Sequence, residues 1–131
     1  MNITPITGFG VFRSVLQNGI RTTVGPVGLT VCIAPGPTDS IRIGVGIGKR
    51  FARRATARSR MRRLLRESVR MLLPVYEEVL LKIRVDAIVI LWKSNLNRAA
   101  DIRLQDVFPC VKAAFDVSMQ RLSRHADPQN V

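Results

Sequence analysis

One segment near the middle of the chain carries most of its positive charge. Ten of the 21 Lys and Arg residues lie between Lys49 and Arg70, with a single acid, Glu67, among them. Ten basic residues less one acid leave +9 of the formal net charge of +12 in this window. Apolar residues recur inside it at helical spacing, at Met61, Leu64, Leu65, Val69, Leu72 and Leu73. The pattern predicts an amphipathic helix with one buried side and one strongly basic side.

A helical wheel of residues Arg58 to Leu73 separates the two sides. One arc holds Met61, Leu64, Leu65, Ser68, Val69 and Leu72. The opposite arc holds Arg60, Arg63, Arg66 and Arg70. We expect Pro74 to end this helix, because proline has no backbone N–H and clashes with the preceding turn. Glu77 and Glu78 would then begin a short connection that runs through Leu81.

The charge of this segment is not balanced internally, which indicates a polyanionic partner. A solvated helix face would pair its cations with acids, whereas this one has ten cations and one acid. Mutual repulsion destabilises such a face unless a partner neutralises it. Nine of the ten cations are arginine, whose guanidinium binds phosphate through two hydrogen bonds and stacks on bases. A sequence pI near 11.5 favours nucleic acid first and an anionic membrane surface second.

Length and composition indicate a single folded domain spanning residues 1–131, with a disordered tail over residues 124–131. The chain is 47% hydrophobic but only 5% aromatic, so its core is built from aliphatic side chains. Cys32 and Cys110 have apolar neighbours and no metal or redox spacing, so we interpret them as buried free thiols in a reducing cytosol. The chain shows neither a signal-peptide pattern nor an apolar run long enough to span a membrane.

Periodicity predicts the elements that surround the basic helix. A first helix covers Gly8 to Asn18, with Gly19 as its stop, and strands cover Val27–Ala34 and Ile41–Gly48. The near-continuous apolar run Asp86–Trp92 predicts a central strand buried on both faces, with Trp92 in the core or at its rim. A last helix begins near Asp106, which would be its N-cap with Pro109 in the first turn, and carries apolar positions as far as Leu122.

These elements predict an α/β fold of the α+β sandwich type. The expected order is α-β-β-β-α-β-α, with helices packed on a small, mostly antiparallel sheet. One parallel crossover links the strand at 41–48, the helix at 56–73 and the strand at 86–92.

The stretch from Arg42 to Arg70 resembles the signature of the bacterial ribonuclease P protein subunit. In that family a strand ends in a basic pair, and a short basic connection leads to an Arg-Asn-Arg core, a Lys-Arg pair and Arg-Glu. Here the strand ends in Lys49-Arg50, and the later motifs match Arg58-Ser59-Arg60, Arg62-Arg63 and Arg66-Glu67 with Arg70. Upstream, Phe12, Val15 and Gly19 match the family's Phe-x-x-Val-x-x-x-Gly segment. Ser59 stands where the family has Asn, and Val69 where it has an aromatic residue.

The resemblance implies the protein subunit of an endoribonuclease that removes the 5′ leader of precursor tRNA in the cytoplasm. In the family a partner RNA carries the active site and its Mg²⁺ ions. The implied partners are therefore this catalytic RNA and precursor tRNA, without a membrane and without an obligate protein partner. The residues themselves agree that the chain binds rather than cuts. The only histidine, His125, has no catalytic partner beside it, and the nine acids are scattered, so we predict neither catalytic nor metal-binding residues.

The predicted contacts form two groups. The first binds RNA along the basic segment, through Lys49, Arg50, Arg53, Arg54, Arg58, Arg60, Arg62, Arg63, Arg66 and Arg70. The second is a cleft for the leader that includes Phe9 and Phe12, on which single-stranded bases would stack. For these two aromatic residues, packing of the first helix onto the sheet is an open alternative.

Two other functions remain as alternatives. A ribosomal-type protein or an RNA chaperone would use the same basic patch without any role in cleavage. A membrane-surface amphipathic helix is a third interpretation. The apolar arc is better explained as core, because the predicted strands need a helix to cover them.

Overall fold

The computed structural model describes residues 1–96 and 102–126, and these form a sheet with helices on both of its faces. The side chain of His125 and residues 127–131 of the expected tail lie outside the described part. The elements in chain order are β1 Asn2–Pro5, α1 Phe9–Asn18, β2 Ile20–Val24, β3 Val27–Ile33, β4 Ser40–Ile47, α2 Ala55–Ile83, β5 Val85–Trp92 and α3 Leu104–Ala126.

The sheet has five strands in the order β1-β4-β5-β3-β2. β4 precedes α2 in the chain and β5 follows it, and the two strands pair in parallel in the sheet. This pairing confirms the predicted crossover. β5 pairs antiparallel with β3, and β3 pairs antiparallel with β2. The expected α-β-β-β-α-β-α order fits the chain from α1 onward. β1 has no counterpart among the predicted strands and adds a second parallel pair at the edge beside β4.

Alternation along the central strand directs side chains to both faces of the sheet. Ile88, Ile90 and Trp92 of β5 belong to the main core beneath α2 and α3. Ala87 and Val89 point the other way and form a smaller cluster with Val15 of α1. This two-sided burial explains why the strand is a near-continuous apolar run, and it confirms the predicted central position.

Helix α2 buries the predicted arc but continues well past its predicted end. Its buried residues are Met61, Leu65, Ser68, Val69, Leu72, Leu73, Leu80 and Ile83. The expectation that Pro74 stops the helix is wrong, as is the connection through Leu81, because helix continues to Ile83. Pro74 is exposed and removes one helical hydrogen bond, at a cost of about 3 kcal/mol. Burial of Leu80 and Ile83 beyond it offsets that cost, at about 1.5–3 kcal/mol for each side chain.

Helix α3 begins earlier than predicted. Leu104 opens the helix, so Asp106 lies in the first turn and is not the N-cap. The Asp106 carboxylate accepts a hydrogen bond of 2.9 Å from the backbone N–H of Arg103, as the third residue of a helix does in a capping box. Pro109 lies inside the helix.

Gly19 allows α1 to lie directly on the sheet. A Cβ atom built on this residue would be 2.5 Å from Thr30 Cγ2 and 2.8 Å from the Val15 carbonyl oxygen. No side chain fits in that space, so glycine is required for close packing at the predicted end of the helix.

The packing of α2 predicts that a charge on its buried arc prevents folding. Leu65 is 0% exposed, so Leu65→Asp would both remove apolar burial and bury an unpaired carboxylate. The expected cost exceeds about 5 kcal/mol, which is comparable to the whole stability of a small domain. Thermal unfolding followed by circular dichroism should show no cooperative transition. Val75→Asp is the matched control on the same helix, because Val75 is 69% exposed; it should melt close to wild type. Equal melting of the two variants would contradict the packing described here.

Candidate nucleic-acid interface

The basic segment occupies one end of the molecule. Residues 48–54, here called the basic loop, connect the end of β4 to the start of α2. They carry Lys49, Arg50, Arg53 and Arg54, all of which are exposed. The remaining six predicted cations lie on the first half of α2, at Arg58, Arg60, Arg62, Arg63, Arg66 and Arg70. The loop and this part of the helix thus carry all ten predicted cations.

Backbone contacts anchor the first half of the basic loop. The Phe51 N–H donates to the Gly48 carbonyl at 3.0 Å, which closes a turn, and the Leu96 N–H donates to the Phe51 carbonyl at 2.9 Å. The Arg50 guanidinium lies over the Phe51 ring, 4.6 Å from its centroid. These contacts leave Lys49 and the outer edge of Arg50 facing solvent.

Two arginines of the helix have guanidinium groups without a partner among the described residues. Arg63 and Arg66 are exposed and have no hydrogen bond or ion pair with any described residue. Arg70 is also exposed but forms an ion pair with Glu67 one turn earlier, and this contact lowers the pKa of the Glu67 carboxyl group. An exposed pair of this kind contributes little to stability. The surface therefore offers unpaired guanidinium groups in one direction.

Three other arginines of the segment are bonded within the chain. Arg58 donates to the carbonyls of Ala52 and Arg53, at 2.9 and 2.7 Å. Arg62 donates to the Ser59 hydroxyl at 3.1 Å. Arg60, placed on the exposed arc by the helical wheel, is half-buried. Its Nε and Nη2 atoms donate to the Ile102 carbonyl at 3.2 and 2.7 Å, which attaches the segment before α3 to α2. Helical periodicity could not reveal this, because the acceptor lies on a distant backbone.

The second candidate surface lies on the other face of the sheet, beside α1. Phe12 is half-buried and its ring lies over β4: a Cβ built on Gly44 would be 3.0 Å from the ring, and one on Gly46 would be 3.5 Å from it. The glycines of β4 thus form the floor on which this ring packs. Phe9 is 78% exposed and so does not pack α1 onto the sheet.

The sheet face next to Phe12 also carries two cations outside the predicted RNA contacts. Lys93 continues the alternation of β5, and its aliphatic chain passes over Gly28, where an added Cβ would be 3.0 Å from the Lys93 Cε. Arg42 lies on the same face of β4 and is exposed. The period of two along both strands could have revealed these cations in the sequence, since residues 42, 44 and 46 share one face with 87, 89, 91 and 93.

A groove on the opposite flank of α1 contains the partly buried Cys32. The groove has a volume of about 410 Å³, and Val11, Arg42 and Asp86 are among its lining residues. Burial raises the pKa of the Cys32 thiol, and the neighbouring Asp86 carboxylate raises it further. Both effects favour the protonated thiol over the reactive thiolate. Both cysteines are free, as predicted, although each is half-buried rather than fully buried.

Neither a metal site nor a membrane span appears in the part of the chain that the structure describes. Residues 1–96 and 102–126 contain no group of three or more His, Cys, Asp or Glu residues that could hold a metal ion. None of their helices is both long and apolar enough to cross a bilayer.

Known proteins identify the family. The model of the family described as Ribonuclease P matches residues 8–116, a stretch that includes both candidate surfaces. The chain belongs to the ribonuclease P protein family. The resemblance seen in Arg42–Arg70 is thereby confirmed for most of the chain.

Individual relatives match over shorter stretches. The chain is 44% identical over 63 residues to the ribonuclease P protein component of Chloroflexus aggregans, covering 48% of this chain and 44% of the relative. It is 39% identical over 59 residues to that of Nitrosomonas europaea, covering 45% and 48%. The chain thus spans about half the length of the curated relatives it matches.

A solved structure supports the fold. The ribonuclease P protein of Staphylococcus aureus superposes with a TM-score of 0.63 over 87% of this chain and 94% of that one, at 16% sequence identity. At this identity the likeness concerns the fold, and it confirms the predicted α+β sandwich.

The unpaired arginines predict a measurable salt effect. Replacing Arg63 and Arg66 with Ala should weaken binding to a bacterial ribonuclease P RNA without altering the melting temperature. Each phosphate contact releases counterions, so the slope of log affinity against log salt should fall by about one unit per arginine. Lys82→Ala with Arg121→Ala is a control that removes the same charge from exposed positions elsewhere. If the slope is the same in wild type and in the Arg63 and Arg66 variant, this face does not contact RNA.

Proposed function

We propose that the chain is the protein subunit of ribonuclease P. It binds the catalytic RNA through the basic loop and the exposed side of α2. It binds the 5′ leader of precursor tRNA beside Phe12, and so assists endonucleolytic removal of the leader. The observation that carries this proposal is the set of exposed guanidinium groups without protein partners at Arg63 and Arg66, inside the segment that matches the family.

The chemistry of the basic surface suits folded RNA. Structured RNA is recognised largely through its shape, its phosphates and its 2′-hydroxyl groups. Guanidinium groups form two-pronged hydrogen bonds to phosphate oxygens, whereas an ammonium acts as a point charge. The α2 N-terminus adds a partial positive charge at the basic loop, because no side chain caps its first amides. The protein therefore positions and neutralises RNA at this end.

The leader surface has a different composition that suits a single strand. The half-buried Phe12 ring packs on the glycines of β4, and in this proposal its solvent-accessible part stacks on a base. Lys93 lies on the same sheet face and could bind the phosphate of a neighbouring nucleotide. Since α1 and α2 pack on opposite faces of the sheet, the leader and the catalytic RNA can be held at the same time.

In this proposal the partner RNA performs the cleavage. Mg²⁺ would be held mainly by that RNA, where it would supply an activated water and charge stabilisation. The chain contributes neither a nucleophile nor a general base. Its role is to increase the affinity of the catalytic RNA for precursor tRNA. Free thiols at Cys32 and Cys110 are compatible with the reducing cytoplasm, where we place this activity.

The identity of the bound RNA tests the proposal against its rival. The affinity-tagged chain should be purified from a bacterial host under mild salt, and the RNA that accompanies it should be sequenced. A single species, the catalytic RNA of ribonuclease P, is expected. Enrichment of ribosomal RNA instead would support a ribosomal-type or RNA-chaperone role and would overturn the proposal.

The leader surface predicts that Phe12→Ala separates two RNA affinities. Loss of one stacking contact is worth about 1–3 kcal/mol. Affinity of the holoenzyme for precursor tRNA should therefore fall by about fivefold or more, while affinity for mature tRNA stays unchanged. The deciding quantity is the ratio of the two affinities, measured on protein shown to be folded.

A second phenylalanine supplies the control. Phe108 on α3 is also half-buried, but it packs against the main core on the other sheet face. Phe108→Ala should lower stability and leave the affinity ratio intact. If Phe12→Ala behaves in the same way, Phe12 serves only to pack α1 onto the sheet.

A further inference from the structure

The basic loop brings four cations together in an irregular segment. Lys49, Arg50, Arg53 and Arg54 lie within six residues and are all exposed. Their mutual repulsion favours an extended, disordered loop. Against this repulsion, the structure shows specific contacts along the loop.

The two halves of the loop are held differently. The turn at Gly48, the hydrogen bond from Leu96 and the stacking of Arg50 on Phe51 all act on residues 48–51. Among the described residues, Arg58 is the one side chain that donates hydrogen bonds to the carbonyls of residues 52 and 53. Arg58 therefore determines how the loop enters α2.

Arg58 differs from an exposed arginine without a protein partner. It is half-buried, and one nitrogen, Nη1, donates to both loop carbonyls, at 2.9 Å to Ala52 and 2.7 Å to Arg53. Ala52 is only 5% exposed, so few other donors can reach its carbonyl. Turning Nη1 toward a phosphate would leave these acceptors without partners, which is unfavourable. Because Arg58 adds a further positive charge to the loop, it must stabilise the loop through hydrogen bonds rather than through charge.

We propose that Arg58 is a positioning residue that fixes the basic loop so that Arg53 and Arg54 meet RNA phosphates, and that it does not itself contact RNA. The inference rests on the proposed function for its RNA partner. In this inference Arg58, one residue of the family's basic signature, binds the loop of its own chain, and Arg53 and Arg54 contact RNA.

A double-mutant cycle tests this division of roles. Arg58→Met keeps the aliphatic chain and removes the donors and the charge. In the wild-type background it should lower affinity for a bacterial ribonuclease P RNA about tenfold. In an Arg53→Ala, Arg54→Ala background it should change affinity less than about twofold, because the residues through which it acts are already gone.

Arg63→Met is the matched control in both backgrounds. Arg63 is exposed on the same helix and has no partner among the described residues. It should lower affinity by the same factor in each background, since independent contacts add. If Arg58→Met also lowers affinity equally in both backgrounds, Arg58 contacts RNA directly and the proposal is wrong.

A measurement without RNA keeps the inference separate from the proposed function. Trypsin cleaves after arginine, and the rate at Arg53 and Arg54 reports how often the loop opens. At a temperature where circular dichroism shows both variants folded, Arg58→Met should be cut there about tenfold faster than wild type, and Arg63→Met at the wild-type rate. Unchanged cleavage in Arg58→Met would overturn the positioning role even if RNA binding is confirmed. Faster cleavage would support it even if the wild-type chain bound no ribonuclease P RNA.

Discussion

The concentration of charge on one helix is the constraint on which the rest of the structure depends. A window with a net charge of +9 would repel itself out of a compact state if solvation and charge alone acted on it. It stays folded because the opposite side of α2 buries a mostly apolar arc, from Met61 to Ile83 and including Ser68, against the sheet and α3. The part of α2 beyond Pro74 therefore stabilises the charged part of the helix. Its buried residues hold α2 on the core, whereas the exposed basic side contributes no stability of its own.

The sheet separates two surfaces, the basic one formed by α2 and the basic loop, and the one beside α1 that contains Phe12. Parallel pairing of β4 and β5 places the start of α2, the basic loop and Lys93 at the same end of the sheet. Glycines on the outer face of β4 admit the Phe12 ring, while the isoleucine and valine residues between them face the main core. A period of two in one strand therefore supplies both the core beneath the basic helix and the floor on which the Phe12 ring packs.

The periodicity of apolar residues predicted the features of the fold that depend on burial alone. The arc of α2 and the two-sided burial of β5 follow directly from where apolar residues recur. Features set by distant contacts were not predictable: Pro74 is tolerated because residues beyond it are buried, and Arg60 is drawn to the backbone of Ile102. β1 was missed because all four of its residues are exposed on an edge strand, so they show no alternation. The basic residues were therefore found from the sequence, but only the structure shows which of them are exposed and which are hydrogen-bonded within the chain.

Reconstituted leader removal tests the central claim most directly. Purified chain would be added to a bacterial ribonuclease P RNA and precursor tRNA, at a magnesium concentration where the RNA alone cleaves poorly. If the chain is the protein subunit, correct removal of the 5′ leader should accelerate by about tenfold or more, and the chain alone should cleave nothing. If the same RNA is active at high magnesium yet gains nothing from the chain at low magnesium, the account is contradicted.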